Sequence, residues 1–489
     1  MKQKITSYAL YRWRYLIGYL SIGSAIFAAL IFAVVFVPGG IRLEEKIASV
    51  KSGSLQFYHF DPQTVIDLPY HIIQRASFAL FDVSSFSIKL PSLIFGVATI
   101  IGIYVLLAIW LKRNVALITT GIAATMPIFL FTAQDGTPTM YHFAVSFWLL
   151  LSAMLVSRRY KPTMLWKVLF FVFLALNIYT PLGIYLDLAV ITTVIAHPHI
   201  RFLTRKLNPN RVIIAAIVAL LTLVPLIYSI VLQPKLALQL LGFPGEILNL
   251  QTNLLELLKD YVGFVDAGSG SIARPMFSIG VFLVIAIGLY RFIIIKYTAR
   301  SYVVWFWIAC LVPIIILSPQ YSAYVYPIAV LMVGMGIDLL LREWYKLFPH
   351  NPYARMTGLL PLGLIVAGLI ASGSSMYVTS YHYIASTSGH FDNDLTLLQN
   401  QLSSLKVTKE KPALVVVPES QVSFVELVSR YDQRFSQTSK QPSTLDAPYT
   451  LIAHDSYSKR LIKNEPSKII TSSKSQNSDR FYLYTKPAQ

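Results

Sequence analysis

GGIRLEEKIASVKSGSLQFYHFDPQTVIDLPYHIIQRASFALFDVSSFSIKLP, residues 39–91, is the stretch on which the reading of this chain turns. An apolar run, Leu16–Val37, precedes it, and about ten more follow it, each near the roughly 17 to 25 residues that cross a bilayer as a helix. The stretch itself is polar, aromatic-rich and too long for a simple connector. It opens on two adjacent carboxylates, Glu44 and Glu45, within about two helical turns of the first apolar run. Where that pair sits relative to the membrane carries the functional reading.

Composition sets the class. The chain has 489 residues, 55% hydrophobic and only 13% charged, whereas a soluble domain is about 25% charged. Its bulk is therefore expected in lipid. The net charge of +18 is split between membrane loops and a separate tail. Cytoplasmic loops and anionic headgroups explain it better than nucleic acid, which is excluded as a partner. The single cysteine, Cys310, lies in the apolar run WFWIACLVPIII, so neither an intrachain disulfide nor a cysteine metal cluster can form. The N-terminus is basic and then apolar, without a small-residue cleavage site, and reads as an uncleaved first span.

The expected spans are Leu16–Val37, Pro91–Leu111, Val115–Ala133, Thr139–Val156, Met164–Tyr179, Leu182–Ala196, Val212–Val231, Met276–Ile295, Tyr302–Leu317, Ala323–Leu341 and Thr357–Val378. Basic residues mark one alternate set of connections, including Lys112/Arg113, Arg158/Arg159/Lys161, Arg201/Arg205/Lys206/Arg211 and Arg342/Lys346/Arg355. The short loops of the other set, AQDGTP, IYTPLG and LSPQYS, carry none. The N-terminus is thus expected in the cytoplasm, and loops 39–90 and 233–275 on the outer face of a plasma membrane.

The tail after Val378 is also expected outside. It is polar, with DLTLLQNQLSSL at helical spacing and ALVVV, YTLIAH and FYLYT as short strands. The expected architecture is an all-α polytopic membrane unit of about eleven transmembrane helices over residues 1–380, followed by a small α/β extracytoplasmic domain over 381–489. LPYHIIQRASFALF and LNLQTNLLELLKDYVGF, within the two long loops, have the pattern of amphipathic helices lying in the interface.

Two outward carboxylate positions flank spans: Glu44 with Glu45 beside the first, and Asp135 in the very short loop AQDGTP. Carboxylates from two spans can share one site, binding a divalent cation through oxygen or deprotonating a hydroxyl. The competing reading is that they are solvated loop charges. Arg42, Lys46, Arg75, Lys89, Lys235 and Arg274 are the outward cations available to a phosphate, or else headgroup anchors. Arg75 and Arg274 stand out because each adjoins an amphipathic or glycine-hinged segment. Asp187 sits inside the apolar run IYLDLAV, either functional or bonded to a neighbour such as Tyr179. His59, His71 and His142 lack metal-ligand spacing and read as satisfied polar histidines.

LEEKIASVKSG after the first span, VIDLPYHIIQRASFALFDVSSFSIKLPSLIFG before the second, FTAQDGTPTMYHF, NIYTPLG and SPQYSAYVYPIAV occur in an order and spacing that resemble the integral-membrane C-type (GT-C) glycosyltransferases. The branch nearest in pattern contains the protein O-mannosyltransferases and the lipid A aminoarabinose transferases. The match runs over roughly Leu16 to Leu341 and the outward tail. The resemblance implies transfer of a hexosyl or pentosyl group from a polyprenyl-phosphate carrier to a glycan, lipid or protein acceptor at the outer membrane face. It implies Glu44 as catalytic base with Glu45 beside it, and Asp135 as the second acid. Arg75, Arg274, Tyr321 and Lys46 become substrate-binding candidates, and Glu44 with Asp135 the ligands of any divalent cation, Mg, Mn or Zn. Three positions depart from the pattern: Glu44 stands for an Asp, Asp67-Leu68-Pro69 for a Lys-Pro-Pro run, and Gln320 for an Arg. A transporter or lipid flippase fits the span number, but pseudo-symmetric halves and midplane charges are not evident. A non-catalytic membrane scaffold is the third reading.

Overall fold

The computed structural model describes residues 40–489, except 56–60, 159, 245–249, 263–274, 348–351, 383–388, 406, 443–446, 459–464, 473–478 and 486–489, together with scattered helical positions between 13 and 31. Most of the expected first span, His59, Arg159 and Arg274 therefore lie outside the described residues.

Every later expected span falls on a helix or, for Val115–Ala133, on a bent pair of helices. The two loop helices are α1 (Leu43–Ser54) and α2 (Leu68–Phe81). The membrane helices follow: α3 (Ser85–Trp110), α4 (Arg113–Ala124), α5 (Pro127–Gln134), α6 (Thr139–Ser157), α7 (Thr163–Ile178), α8 (Gly183–Ala196), α9 (Pro198–Arg205) and α10 (Pro209–Leu232). After α11 (Lys235–Leu240) and α12 (Leu250–Val262) come α13 (Ile279–Ile294), α14 (Ala299–Leu317), α15 (Tyr326–Leu347) and α16 (Pro352–His382). Among the described residues six helical segments are long and apolar enough to span a membrane, or eight if each of two bent pairs counts as one span.

One expected span is broken. Val115–Ala133 becomes α4 and α5, bent by 64°. Pro127 opens α5 and holds Met126 extended, with ψ 139°, because the residue before a proline avoids the helical region. The second bend, of 88°, separates α8 from α9, where Pro198 follows the extended His197.

Helix α3 keeps Pro91 in its interior. A proline there cannot donate to the carbonyl four residues back, which belongs to Ser87. The Ser77 hydroxyl of α2 donates to that carbonyl at 2.8 Å, and Gln74 Nε2 donates to Ile88 O at 2.8 Å. The polar face of α2 is thus turned inward: His71, Gln74 and Ser77 are buried, while Ile72, Leu80 and Phe81 are exposed. That inversion suits a helix lying at a lipid interface rather than on an aqueous surface.

The C-terminal unit has α17 (Asp394–Ser404), β1 (Ala413–Val416), α18 (Glu419–Tyr431), β2 (Phe435–Thr438), β3 (Tyr449–Ala453), β4 (Lys468–Thr471) and β5 (Asp479–Thr485). The strands form one mixed sheet in the order β2-β1-β3-β5-β4. Strand β1 is parallel to β2 and β3, and β5 is antiparallel to β3 and β4. The helix on DLTLLQNQLSSL and strands on ALVVV, YTLIA and FYLYT are as expected, whereas α18, β2 and β4 carried no clear signal. This unit packs on the end of α2, the start of α3 and the chain before α1: Ile41, Phe78, Val83 and Ile88 share a core with Leu395, Leu398 and Val415. Ile41 and Asp392 exchange backbone hydrogen bonds at 2.8 and 3.0 Å.

Candidate active site

The site is built where α1 begins. Arg42, extended, precedes the helix, and Glu45 at its third position accepts the Arg42 N–H at 2.7 Å. Carboxylates in a first turn also meet the positive end of the helix dipole. Successive helical residues point about 100° apart, so the two glutamates part company. Glu45 is fully buried, whereas the Glu44 side chain is 58% exposed.

The opposing wall is the turn between α5 and α6. Gly136 N–H donates to Glu45 Oε1 at 2.6 Å, so Glu45 bridges two backbone amides from two loops. A side chain at Gly136 would place its Cβ 2.6 Å from Ile88 Cγ2 and 3.2 Å from Glu45 Oε1, so the turn approaches at glycine distance. Asp135 is buried and accepts from Thr137 and from Arg42, at 3.1 Å from Nε and 2.7 Å from an Nη. The other Nη of Arg42 donates to Glu44 Oε2 at 3.0 Å. Lys89, buried in the first turns of α3, lies 3.9 Å from Glu45 Oε1 and donates to Gln134 Oε1 at 2.8 Å.

Glu44, Glu45 and Asp135 are therefore brought together, with Arg42 and Lys89 as their cations. Burial opposes the Arg42 charge, but Asp135, Glu45 and Glu44 outweigh it and raise its pKa. Burial pushes the Glu45 carboxyl up, with Asp135 acting in the same direction against Lys89 and Arg42.

The other candidates are placed differently. Lys46 is turned to the C-terminal unit, 2.7 Å from Asp392 and over the Phe424 ring. Arg75 is half-buried on α2. Tyr321, in the 3-10 turn Pro319–Val325, is half-buried and edge-on to Tyr324 at 5.5 Å. Asp187 is buried, and its partner is Asn177 Nδ2 at 3.0 Å rather than Tyr179. His71 bonds Ser52 at 2.7 Å, and His142 lies 3.2 Å from Thr180 Oγ1.

Sequence reasoning ranked Arg42 and Lys89 no higher than the other outward cations. The available signal for Lys89 was a lysine at the lip of an apolar span. For Arg42 it was its place two residues before the acid pair.

A divalent cation shared by Glu44 and Asp135 would have to displace the Arg42 guanidinium, which bonds both. Among the described residues no three His, Cys, Asp or Glu side chains are grouped to hold a metal. As paired here, Glu44 and Asp135 serve Arg42 rather than a metal cation.

Residue Asp67 is a further feature of this end. It caps α2 in the left-handed conformation, φ 57°, and its N–H donates to Tyr179 O at 2.9 Å. It is buried, its Oδ1 has no hydrogen-bond partner, and burial pushes its carboxyl up to about 7, against Lys51.

Comparison with known proteins agrees with this architecture. Residues 69–228 match the model of the dolichyl-phosphate-mannose-protein mannosyltransferase family, a segment that holds Arg75, Lys89 and Asp135 but not Glu44 or Glu45. No curated protein matches in sequence. Among solved structures, ArnT from Cupriavidus metallidurans bound to undecaprenyl phosphate superposes with a TM-score of 0.58 at 12% identity, covering 95% of this chain and 98% of that one. Its apo state gives 0.54 at 13% identity, covering 96% and 98%. The Archaeoglobus fulgidus oligosaccharyltransferase tethered with an acceptor peptide gives 0.52 at 11% identity, covering 87% and 64%. With the fold matched along nearly its whole length, this chain is a polytopic membrane protein with an ArnT-like fold, and its residues 69–228 are similar to the dolichyl-phosphate-mannose-protein mannosyltransferase family model.

Proposed function

We propose that this protein is a membrane glycosyltransferase that moves a sugar from a polyprenyl-phosphate carrier to a hydroxyl acceptor on the outer face of the plasma membrane. The observation that carries the reading is the division of labour between adjacent glutamates. Glu45 is locked between two backbone amides, while Glu44 is tethered through one oxygen to Arg42 and otherwise open to solvent. The GT-C fold and the mannosyltransferase-family segment support the same reading.

In this reading Glu44 takes the proton as the acceptor O–H bond breaks, and the hydroxyl oxygen forms its bond to the anomeric carbon. The carbon–oxygen bond to the carrier phosphate breaks in the same displacement, and the phosphate keeps the electron pair. One displacement without a covalent intermediate inverts the anomeric carbon. Arg42 aims Glu44, and Asp135 with Glu45 holds Arg42. Arg75 is the described cation assigned to the phosphate, whose developing charge a guanidinium stabilises. Tyr321 lines the carrier's path.

Two experiments test this. Mass spectrometry of envelope glycans and glycoproteins from cells with and without the gene is expected to show loss of one sugar. Unchanged profiles, together with no transfer by purified protein given undecaprenyl-phosphate sugars, would reject the enzyme reading in favour of a scaffold.

A further inference from the structure

Remote from the carboxylates, the opposite ends of α6, α7, α8 and α14, with α9, line a half-open cavity of about 530 Å³ with almost wholly apolar walls, among them Leu150, Met154, Phe170, Leu174 and Ile191. The volume lies within the roughly 300 to 1,000 Å³ of ligand sites in general. A second hollow of about 160 Å³ shares Val156, Lys167 and Leu207 with the first and is otherwise lined by groups that include Lys206, Arg211, Asn208 and Tyr160. Lys167 is buried, and Arg300 lines the larger cavity. Among the described residues, four cations and no carboxylate thus line the two hollows.

An apolar chamber joined to a cationic mouth is complementary to an amphiphile with an anionic head. A free phosphate would use the mouth and leave the chamber without purpose. The helices that build it are membrane spans, and Ile213, Ile214 and Ile217, next in sequence to Arg211 and Val212, are exposed where a span meets lipid. Basic pockets between transmembrane helices are a known setting for anionic headgroups. Along α3 the chamber, reached at Trp110, is about 30 Å from Lys89 at the carboxylate site, from the helical rise alone.

We propose that this is a separate lipid site, holding one phospholipid with an anionic headgroup. One of its two acyl chains fills the larger cavity, the other lies in the surrounding lipid, and its phosphate lies among Lys167, Lys206 and Arg211. The site is independent of the transferase reading.

The test uses the full chain in mild detergent, delipidated and offered equimolar phosphatidylglycerol and phosphatidylcholine of identical chains, with retained lipid read by native mass spectrometry. Phosphatidylglycerol is expected to be retained about tenfold over phosphatidylcholine, as the loss of a charged contact is worth roughly that factor. The double variant K206Q/R211Q, at two exposed positions, is expected to bring the ratio near one. A153W, which fills the chamber, is expected to lose both lipids. Equal retention of the two lipids by the wild-type chain would overturn the proposal, as would a preference that survives K206Q/R211Q. Displacement of phosphatidylglycerol by inorganic phosphate would assign the mouth to a free anion instead. Displacement by equimolar undecaprenyl phosphate would assign the site to the carrier.

Discussion

The two ends of the helical bundle handle charge in opposite ways. At the α1 end, Glu44, Glu45 and Asp135 face Arg42 and Lys89, so the protein supplies both signs itself. At the other end, Lys167, Lys206, Arg211 and Arg300 line two hollows in which, among the described residues, no carboxylate appears. The α1 cluster keeps one formal negative charge in excess, and Glu44 is its most exposed carboxylate. At the basic end the cations line hollows whose walls are otherwise apolar or uncharged.

This contrast can be broken at several points. Arg42→Met should have the largest effect on stability, because it leaves Asp135 buried without the guanidinium that pairs it, although the backbone N–H to Glu45 stays. Stranding such charges costs about 3–5 kcal/mol, to be read as a lowered unfolding midpoint in detergent. A loss below about 1 kcal/mol would mean that the network is not held by charge.

Gly136→Ala should cost about 1–3 kcal/mol, the usual range for overpacking a tight site. Its Cβ would meet Ile88 Cγ2 at 2.6 Å, within a turn already bonded to Glu45. A neutral result would show that the turn and α3 are not in close contact.

Asp67→Asn should act through pH. A carboxyl raised to about 7, against about 3.9 when unfolded, retains its proton in the folded state. Its contribution to stability is full below about pH 4, falls as pH rises, and is gone above about 7. Asparagine tolerates the same left-handed backbone. The variant should therefore gain on the wild-type chain as pH rises from 5 to 7.5. Nearby His71 is lowered by burial to about 3, with Lys51 acting in the same direction, and shifts stability the opposite way over an overlapping range. The measurement is therefore the difference between variant and wild type, which should stay constant with pH if Asp67 is not protonated.

The smallest effect belongs at the other end. Lys346 and Glu343, an exposed pair at 2.6 Å, should lose no more than about 0.5 kcal/mol on Lys346→Ala.

The helices were legible because hydropathy at span length leaves few alternatives, and each apolar run after the first became a helix or, for Val115–Ala133, a bent pair of helices. The bend at Met126 was legible in principle from Pro127, since the residue before proline avoids helix. The run's total hydrophobicity hid it. Strand β2, FSQT, and strand β4, KIIT with Ile469 exposed, sit at the sheet's edges, where a strand needs little apolar patterning. The acids of the site could be read from their place beside spans. Which of Glu44 and Glu45 would point inward could not, because that depends on the Gly136 amide, 91 residues away in sequence. For the same reason the sequence favours Arg75 over Arg42 as a partner. Only the packed turn reverses that order.

The account rests on Glu44 acting as the base while Glu45 serves as a brace. The direct measurement compares Glu44→Gln and Glu45→Gln in the purified full chain, scoring sugar transfer from an undecaprenyl-phosphate donor beside the unfolding midpoint. The account predicts that Glu44→Gln keeps the wild-type midpoint and loses transfer by about 10²- to 10⁴-fold, while Glu45→Gln lowers the midpoint. Transfer by Glu44→Gln at the wild-type rate would contradict it.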